Sequence, residues 1–355
     1  ATSPGGIGEC HLAATRTTII IPNYNGVRHL EALLPSIVGQ TRAPARVLLV
    51  DNGSTDNSIQ YVAGIADCLP LRKNHGFAYA VNRGIEAADT EFVAILNNDV
   101  ILHPDWLAHL EDRLEDPSAH FACPLLLSAS SPGRADGAYD LLSRSGCALR
   151  AFHGAGLDAV ERSRERVVHF PPMTAALFRR DLFTSVGLLD ECFRSYLEDV
   201  EFGLRAARQG YTGRFVPEAT ATHIGSATLG AWSARTTALI ARNQILLLAR
   251  HYPASLLRRW WWPILAGNLL YVLLALRQGQ GIAALQGKMH ALRLWSTLRN
   301  SASGLSDAES ASHIARLVSA SEAQISSLVN TVHPDRFWKV YFKLCPGTAT
   351  LQNEK

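Results

Sequence analysis

The six cysteines, Cys10, Cys68, Cys123, Cys147, Cys192 and Cys345, are scattered, and none forms a CxxC pair. That spacing excludes the usual zinc and disulfide frameworks and fits a reducing compartment. No GxSxG-type nucleophile motif occurs, so covalent catalysis has no evident carrier. The opening residues, ATSPGGIGECHLAATR, lack a basic n-region and an apolar h-region, so no signal peptide is expected. There is no internal repeat. The most apolar run, Trp260 to Leu276, is shorter than the ~20 residues a spanning helix needs. It also contains Pro263 and Asn268.

What is present is a chain of 355 residues, 47% hydrophobic and 18% charged. That is enough for one large domain or two smaller ones. The net charge of +3 hides an asymmetry: residues 1–225 carry 20 Lys/Arg against 26 Asp/Glu, and residues 226–355 carry 14 against 5. An acidic front half and a basic, Trp-rich back half suggest two jobs. The basic half suits nucleic acid or an anionic membrane surface.

In the front half, strands and helices alternate. TTIIIP (Thr17–Pro22) reads as a buried strand and PNYNG as a turn, and HLEALLPSIVGQT has helical spacing. RVLLVDNGSTDNS repeats the theme, with Asp56 or Ser54 able to cap the helix that follows. FVAIL (Phe92–Leu96) is a third strand, and WLAHLEDRL a helix. This is the pattern of a mostly parallel sheet flanked by helices. Residues 122–170 are weakly periodic and read as loops and short strands. LEDVEFGLRAARQGY reads as a helix, and RFVPEATATHIGSAT as a strand and polar loop. Residues 238–298 are apolar and helical. Residues 301–312 read as a linker, followed by two short helical pieces.

Polar residues stand after each strand: Asn23 and Asn25, then Asp51, then Asn97, Asn98 and Asp99. Ligands of open α/β sheets lie beyond the strand carboxyl ends, so the recurrence favours a site. Asp51 alone reads equally as a helix cap. Asn74, Gly76, Ala78, Ala80 and Asn82 form a small-residue face, fit for close approach to a phosphate or for tight helix packing. Asp99 is well placed for a hard divalent cation. Glu198 and Asp199 point about 100° apart on a helix, so they cannot do the same work. One of them, facing a cleft, could be a general base, though acidic residues at a helix start are also favoured by the dipole. His223 follows a strand and could bind a metal or be structural.

In this order, IIIPNYNG, VLLVDNGSTDNS, NHGFAYAVNRGI, AILNNDV, SYLEDVEFGLRAARQGY and VPEATATHIGSAT resemble the family-2 inverting glycosyltransferases of GT-A fold, from about Thr17 to Thr228. Each motif is weak alone; the six in sequence are specific. The resemblance implies a GT-A catalytic domain at 17–230, divided into a nucleotide-sugar half (17–121) and an acceptor half (122–230). A tail (1–16) would precede it, and a basic helical membrane-associating region (231–300) and a C-terminal segment (301–355) would follow. It implies donor contacts from Pro22, Tyr24, Asn25, Asp51, Gly53, Ser54, Asn74, Gly76, Ala80, Asn82, Asn97, Asn98 and Asp99. Acceptor-side residues would be Thr174, Ala175, Glu198 and Asp199, with Asp199 the catalytic base. A divalent cation, Mn2+ or Mg2+, would sit on Asp99 and His223. NND departs from a multi-carboxylate DxD motif and leaves Asp99 the only acid there, and Glu201 stands where the family often has Asp. The SYLEDVEFGLR context looks most like members using dTDP-rhamnose, with UDP-sugars as the other donors. The acceptor would be a glycan or polyprenyl-linked intermediate of bacterial cell-surface glycan synthesis.

Trp260, Trp261 and Trp262 beside Arg258 and Arg259 suit a membrane interface. The expectation is a peripheral platform on the cytoplasmic face of the inner membrane. A subunit interface in a homo-oligomer is the alternative for the same apolar residues. The aromatics cluster with Leu and Ile rather than with Lys and Arg, which argues against nucleic acid. The rival functional readings are an inactive nucleotide-binding or membrane-associated interaction protein and, more distantly, a nucleotidyltransferase.

Overall fold

The computed structural model describes residues 15–161, 166–225, 232–300, 308–332 and 335–347. Its strands are β1 (Thr17–Asn23), β2 (Arg46–Asp51), β3 (Asp67–Pro70), β4 (Phe92–Leu96), β5 (Val100–Leu102), β6 (Phe121–Ser128), β7 (Ala135–Gly137), β8 (Asp140–Leu142), β9 (Ala148–Arg150), β10 (Arg166–Val168), β11 (Ala175–Arg179) and β12 (Gly213–His223). The front-half helices are α1 (Val27–Val38), α2 (Ser58–Val62), α3 (Phe77–Ala87), α4 (Trp106–Arg113), α5 (Leu157–Glu161), α6 (Arg180–Val186) and α7 (Glu198–Arg208). Then come α8 (Ala234–His251), α9 (Ala254–Arg259), α10 (Trp261–Arg277), α11 (Gly281–Asn300), α12 (Ala308–Thr331) and α13 (Arg336–Leu344).

The main sheet has ten strands in the order β10-β12-β6-β11-β4-β1-β2-β3, with β5 beside β12 and β7 beside β6. It is parallel through β4-β1-β2-β3, as the alternating pattern predicts. Beyond β4 it is mixed: β11 runs antiparallel to β4 and β6, and β12 is parallel to β6 but antiparallel to β5 and β10. Alternation along β1 explains the two-sided core. Ile20 faces one buried cluster, with Val50, Val81 and Ile95. Ile19 and Ile21 face the other, with Leu30, Leu49 and Trp106. Both faces are therefore covered, as the parallel half of the sheet requires; over all its pairings the sheet is mixed rather than mostly parallel.

The antiparallel strands matter most to the site. β12 pairs with β5 so that His223 stands opposite Val100, and the Ile224 amide donates to the Asp99 carbonyl at 2.9 Å. His223 is thereby delivered next to Asp99 across more than a hundred residues of chain. In the same way, the Asn97 amide donates to the Thr174 carbonyl at 2.8 Å.

Several details differ from the pattern reading. Asp56, rather than Ser54, serves the start of α2: its Oδ1 accepts from the Ser58 amide at 3.1 Å. The linker expected at 301–312 is helical from Ala308, and α12 is 24 residues long rather than a short piece. Its Ser- and Ala-rich sequence hides a stripe of Ile314, Val318, Ile325 and Val329, each no more than 3% exposed. Trp260, expected at a membrane interface, is buried and packs edge-on against Tyr252 with ring centroids 5.5 Å apart. Pro263 falls in the first turn of α10, where its missing N–H costs nothing. Asn268 is buried and donates to the Ser145 carbonyl at 3.1 Å. No helix among the described residues is long and apolar enough to cross a membrane.

Candidate active site

A cavity of about 330 Å3 opens at the carboxyl end of the parallel strands. Of the residues singled out in the sequence, Pro22, Asn23, Tyr24, Asn74, Gly76, Asn97, Asn98, Asp99, Thr174, Glu198, Asp199 and His223 line it. Asn52, Phe77, Arg150, Met173, Ser195, Tyr196 and Arg235 line it too. Asn25, Asp51, Gly53, Ser54, Ala78, Ala80, Asn82 and Ala175 do not.

Those outside the lining hold the loops in place. Asp51, 1% exposed, accepts from the Ser54 amide at 3.0 Å and from Asn23 at 3.3 Å. Ser54 in turn accepts from the Asn25 amide at 2.9 Å, and Asn25 accepts from the Thr55 amide at 2.8 Å. Gly53 has φ +80°, and a Cβ there would lie 2.6 Å from the Lys73 backbone. Asn82 is sealed against Leu189, donating to its carbonyl and accepting from its amide, both at 2.9 Å. Ala80 and Ala175 are fully buried.

Asp99 and His223 form one polar group of the lining. The His223 Nε2 is 3.4 Å from Asp99 Oδ1, and its Nδ1 is 2.8 Å from Asp136 Oδ2. Burial opposes a charge on this ring, but the bonds to Asp136 and Asp99 outweigh it and raise the imidazole to about 9. Burial likewise pushes Asp99 up, and His223 more than offsets it, so the carboxyl lies below its ordinary value. A histidine fixed through Nδ1 by a carboxylate, with Nε2 facing a second carboxylate, is the donor arrangement of a metal-binding imidazole. The donor chemistry fits a divalent cation that takes its remaining ligands from a diphosphate. Among the described residues no group of three His, Cys, Asp or Glu is placed to hold a metal unaided.

Glu198 and Asp199, at the start of α7, form a second group. Burial, reinforced by Asp140 and Glu198 and opposed by Arg150, pushes Asp199 well above the ordinary carboxyl range. Burial, with Asp140 adding to it against Arg150, raises Glu198 to about 7. The Glu198 Oε2 is buried and has no hydrogen-bond partner among the described residues. Arg150 reaches Asp199 Oδ2 at 3.7 Å. The β8–β9 register sets Arg150 opposite Asp140, which it bonds at 3.2 Å, and it also donates to Thr174 at 3.2 Å. Neither Arg150 nor Asp136 belongs to a readable motif. Both come from the weakly periodic stretch after residue 122, and pairing between short strands of that stretch brings them to the site.

The loop leading into α7 is strained. Arg194, Tyr196 and Leu197 have φ of 62°, 69° and 64°, a region that costs non-glycine residues ~1–3 kcal/mol each. The buried Asn243 side chain of α8 holds it, directing its amide at the carbonyls of Phe193, Ser195 and Tyr196 at 2.8, 2.9 and 2.6 Å. Glu201 fixes the other side of α7 through Arg205 at 2.8 Å and His251 at 2.9 Å. It is a structural carboxylate, turned away from the cavity.

The lining thus gathers carboxylates and a histidine beyond the strand ends of an α/β sheet, where such sheets bind their ligands. Residues 18–187, just under half of the chain, match the model of glycosyl transferase family 2. A pre-mycofactocin glycosyltransferase of Mycobacterium tuberculosis is 30% identical over 226 residues, 61% of this chain and 44% of that protein. An N-acetylglucosaminyl-diphospho-decaprenol L-rhamnosyltransferase of the same species is 29% identical over 277 residues, 68% of this chain and 85% of that protein. The chain thus spans under half of the first relative and most of the second. The crystal structure of GalNAc-T7 with UDP, GalNAc and Mn2+ shares the fold, with a TM-score of 0.57, 14% identity, and coverage of 90% of this chain and 58% of that one. The Ser226, Ala227 and Thr228 end of the resembling segment lies outside the described residues.

Proposed function

We propose that this protein is an inverting, divalent-metal-dependent glycosyltransferase. It moves a sugar from a nucleotide-diphosphate donor, dTDP-rhamnose first and a UDP-sugar otherwise, to a hydroxyl of a lipid-linked or polysaccharide acceptor in bacterial cell-surface glycan synthesis. The observation that carries the reading is one cavity lined by Asp99, His223 and Asp199 together. The rhamnosyltransferase relative supports the choice of donor and of a lipid-linked acceptor.

In this reading Asp199 takes the proton of the acceptor hydroxyl, whose oxygen attacks the anomeric carbon. The bond from that carbon to the diphosphate oxygen breaks, and its electron pair leaves with the nucleoside diphosphate. One displacement inverts the configuration and needs no enzyme nucleophile. Arg150 favours the ionised form of Asp199 and orients it. Asp99 and His223 hold the cation, which when bound offsets charge on the leaving diphosphate. Asn74 and Gly76 border the donor. The exposed apolar face of α10 and α11 rests on the cytoplasmic face of the inner membrane, peripherally.

A donor panel of dTDP-rhamnose and UDP-hexoses, with Mn2+ or Mg2+, tests the proposal. Hydrolysis or transfer should be metal-stimulated and should give a product of inverted anomeric configuration by NMR. A retained configuration, or full activity under chelation, would overturn the mechanism. Nucleotide binding with no turnover across the panel would point to a binding module instead.

A further inference from the structure

A second recess, of about 310 Å3, lies between α8, α11 and the loops carrying Gly76 and Arg194. It shares Asn74, Gly76, Ser195 and Arg235 with the candidate active-site cavity, so the two adjoin. Four of its lining residues are Arg194, Arg235, Arg242 and His290, and no described Asp or Glu lines it. Arg242 is the unusual member. It is only 9% exposed, yet its Nε is buried without a hydrogen-bond partner among the described residues. Its Nη1 donates to Asn243 Oδ1 at 2.8 Å. Burial lowers its pKa, with the nearby Arg194 charge adding to the effect and Cys192 and Asp190 opposing it. An underused buried guanidinium is costly to a protein unless an anion completes its bonds.

The rim of the recess meets an apolar surface. On α11, Leu285 and Met289 are 50% and 54% exposed. Gln286 and His290, the next residue after each, line the recess. Successive helical residues point about 100° apart, so the apolar stripe borders the basic recess directly.

We propose that this recess binds the diphosphate of a prenyl-diphosphate-linked acceptor, with its prenyl chain along the apolar stripe of α11 and its sugar passing Ser195 towards Asp199. The inference rests on the lipid-linked acceptor of the proposed function and adds the subsite that recognises it. Arg242 and Arg194 pair with the phosphate oxygens, and His290 closes the recess on its lipid side. Binding also bears on the Asn243 clamp that holds the loop before α7.

The test uses the full chain and farnesyl diphosphate as probe, with farnesol and inorganic pyrophosphate as comparison arms. All are titrated in the presence of saturating dTDP, and dTDP affinity is measured separately. The wild type should bind farnesyl diphosphate at least about tenfold more tightly than farnesol, since charge-assisted bonds recognise the head. Pyrophosphate should bind without displacing dTDP. Arg194→Gln with His290→Gln, both exposed positions that line only this recess, should weaken farnesyl diphosphate about tenfold and leave dTDP affinity within about twofold. Arg242→Gln should do the same, and if it fails to fold the exposed pair still decides. Equal affinity for farnesol, unchanged affinity in the exposed pair, or mutual displacement with dTDP would overturn the subsite. Failure of the wild type to bind either dTDP or UDP would instead overturn the glycosyltransferase reading beneath it.

Discussion

Glu198 and Asp199 share one environment at the first turn of α7, and their proton affinities belong to the pair. Asp199 has the cation partner, Arg150 at 3.7 Å, whereas Glu198 Oε2 has none among the described residues. Asp199→Asn should therefore lower transfer by about 10²–10⁴-fold with nucleotide affinity kept. A variant that transfers normally would shift the role to Glu198. Because burial raises both carboxyls, and a base works only when ionised, the acid limb of the rate should lie well above the ordinary carboxyl range rather than near pH 4. Arg150→Gln should move that acid limb to higher pH, which a pH–rate profile of kcat/KM reads directly. Beside His223, Asp136→Asn should weaken Mn2+ binding in the presence of dTDP by roughly 10–100-fold, followed by electron paramagnetic resonance. Asp99, Asp199 and His223 were legible as motifs because each sits where a strand or helix meets a polar break. Arg150, Asp136 and Asp140 were not, because their importance arises from pairing between short strands whose own periodicity is weak.

At the level of elements, α7 is held from both sides. Asn243 restrains the positive-φ loop before it, so Asn243→Ala should lower kcat more than it changes dTDP affinity. An unchanged kcat would deny the clamp a part in placing Asp199. On its far side, burial opposes the Glu201 charge, but His251 and Arg205 outweigh it and lower the carboxyl from 4.5 to about 2. A depressed carboxyl stabilises the fold above its unfolded pKa and loses that contribution as pH falls through the folded value. The stability of the wild type should therefore decline from pH 4.5 towards pH 2. Glu201→Gln should be less stable at pH 7 by about 3–5 kcal/mol, the usual result of breaking a buried pair, and flatter across the acid window. Urea midpoints across pH test both. The parallel β4-β1-β2-β3 half was readable because each strand is a short β-branched or apolar run closed by turn residues. The antiparallel return through β11 and β12 was not, since nothing in a strand's own sequence states its direction.

Across the whole molecule, the back half is tied to the front by buried polar contacts. Arg144 meets Glu322 at 2.6 Å with both side chains under 10% exposed, and Ser321 accepts from the Leu142 amide at 2.7 Å. These contacts explain why the Ser-rich sequence of α12 misled: its helix is stabilised by packing, not by a strong pattern of its own. The same packing sorts the tryptophans. Trp260 belongs to the core, while Trp261 and Trp262 are 61% and 41% exposed beside exposed Arg258 and Arg259. Leu265, Leu269, Leu273 and Leu276 continue one exposed stripe along α10, and Ile282, Leu285, Met289 and Leu292 another along α11. Apolar stripes edged by arginine and tryptophan are what an amphipathic surface helix presents to a bilayer. Arginine attraction to anionic lipid, about 1 kcal/mol per residue near the surface, is screened by salt. Apolar insertion is not. Vesicle binding should therefore weaken at high salt without vanishing, and Trp261→Ala with Trp262→Ala should remove most of the salt-resistant part while leaving dTDP affinity unchanged. Trp260→Ala should instead lower stability by roughly 3–5 kcal/mol, the cost of emptying a buried aromatic site. Co-sedimentation with anionic vesicles at two salt concentrations reads the first claim. If the wild type stays in the supernatant at low salt, the stripes belong to a subunit interface, and the mass in solution should then rise with concentration.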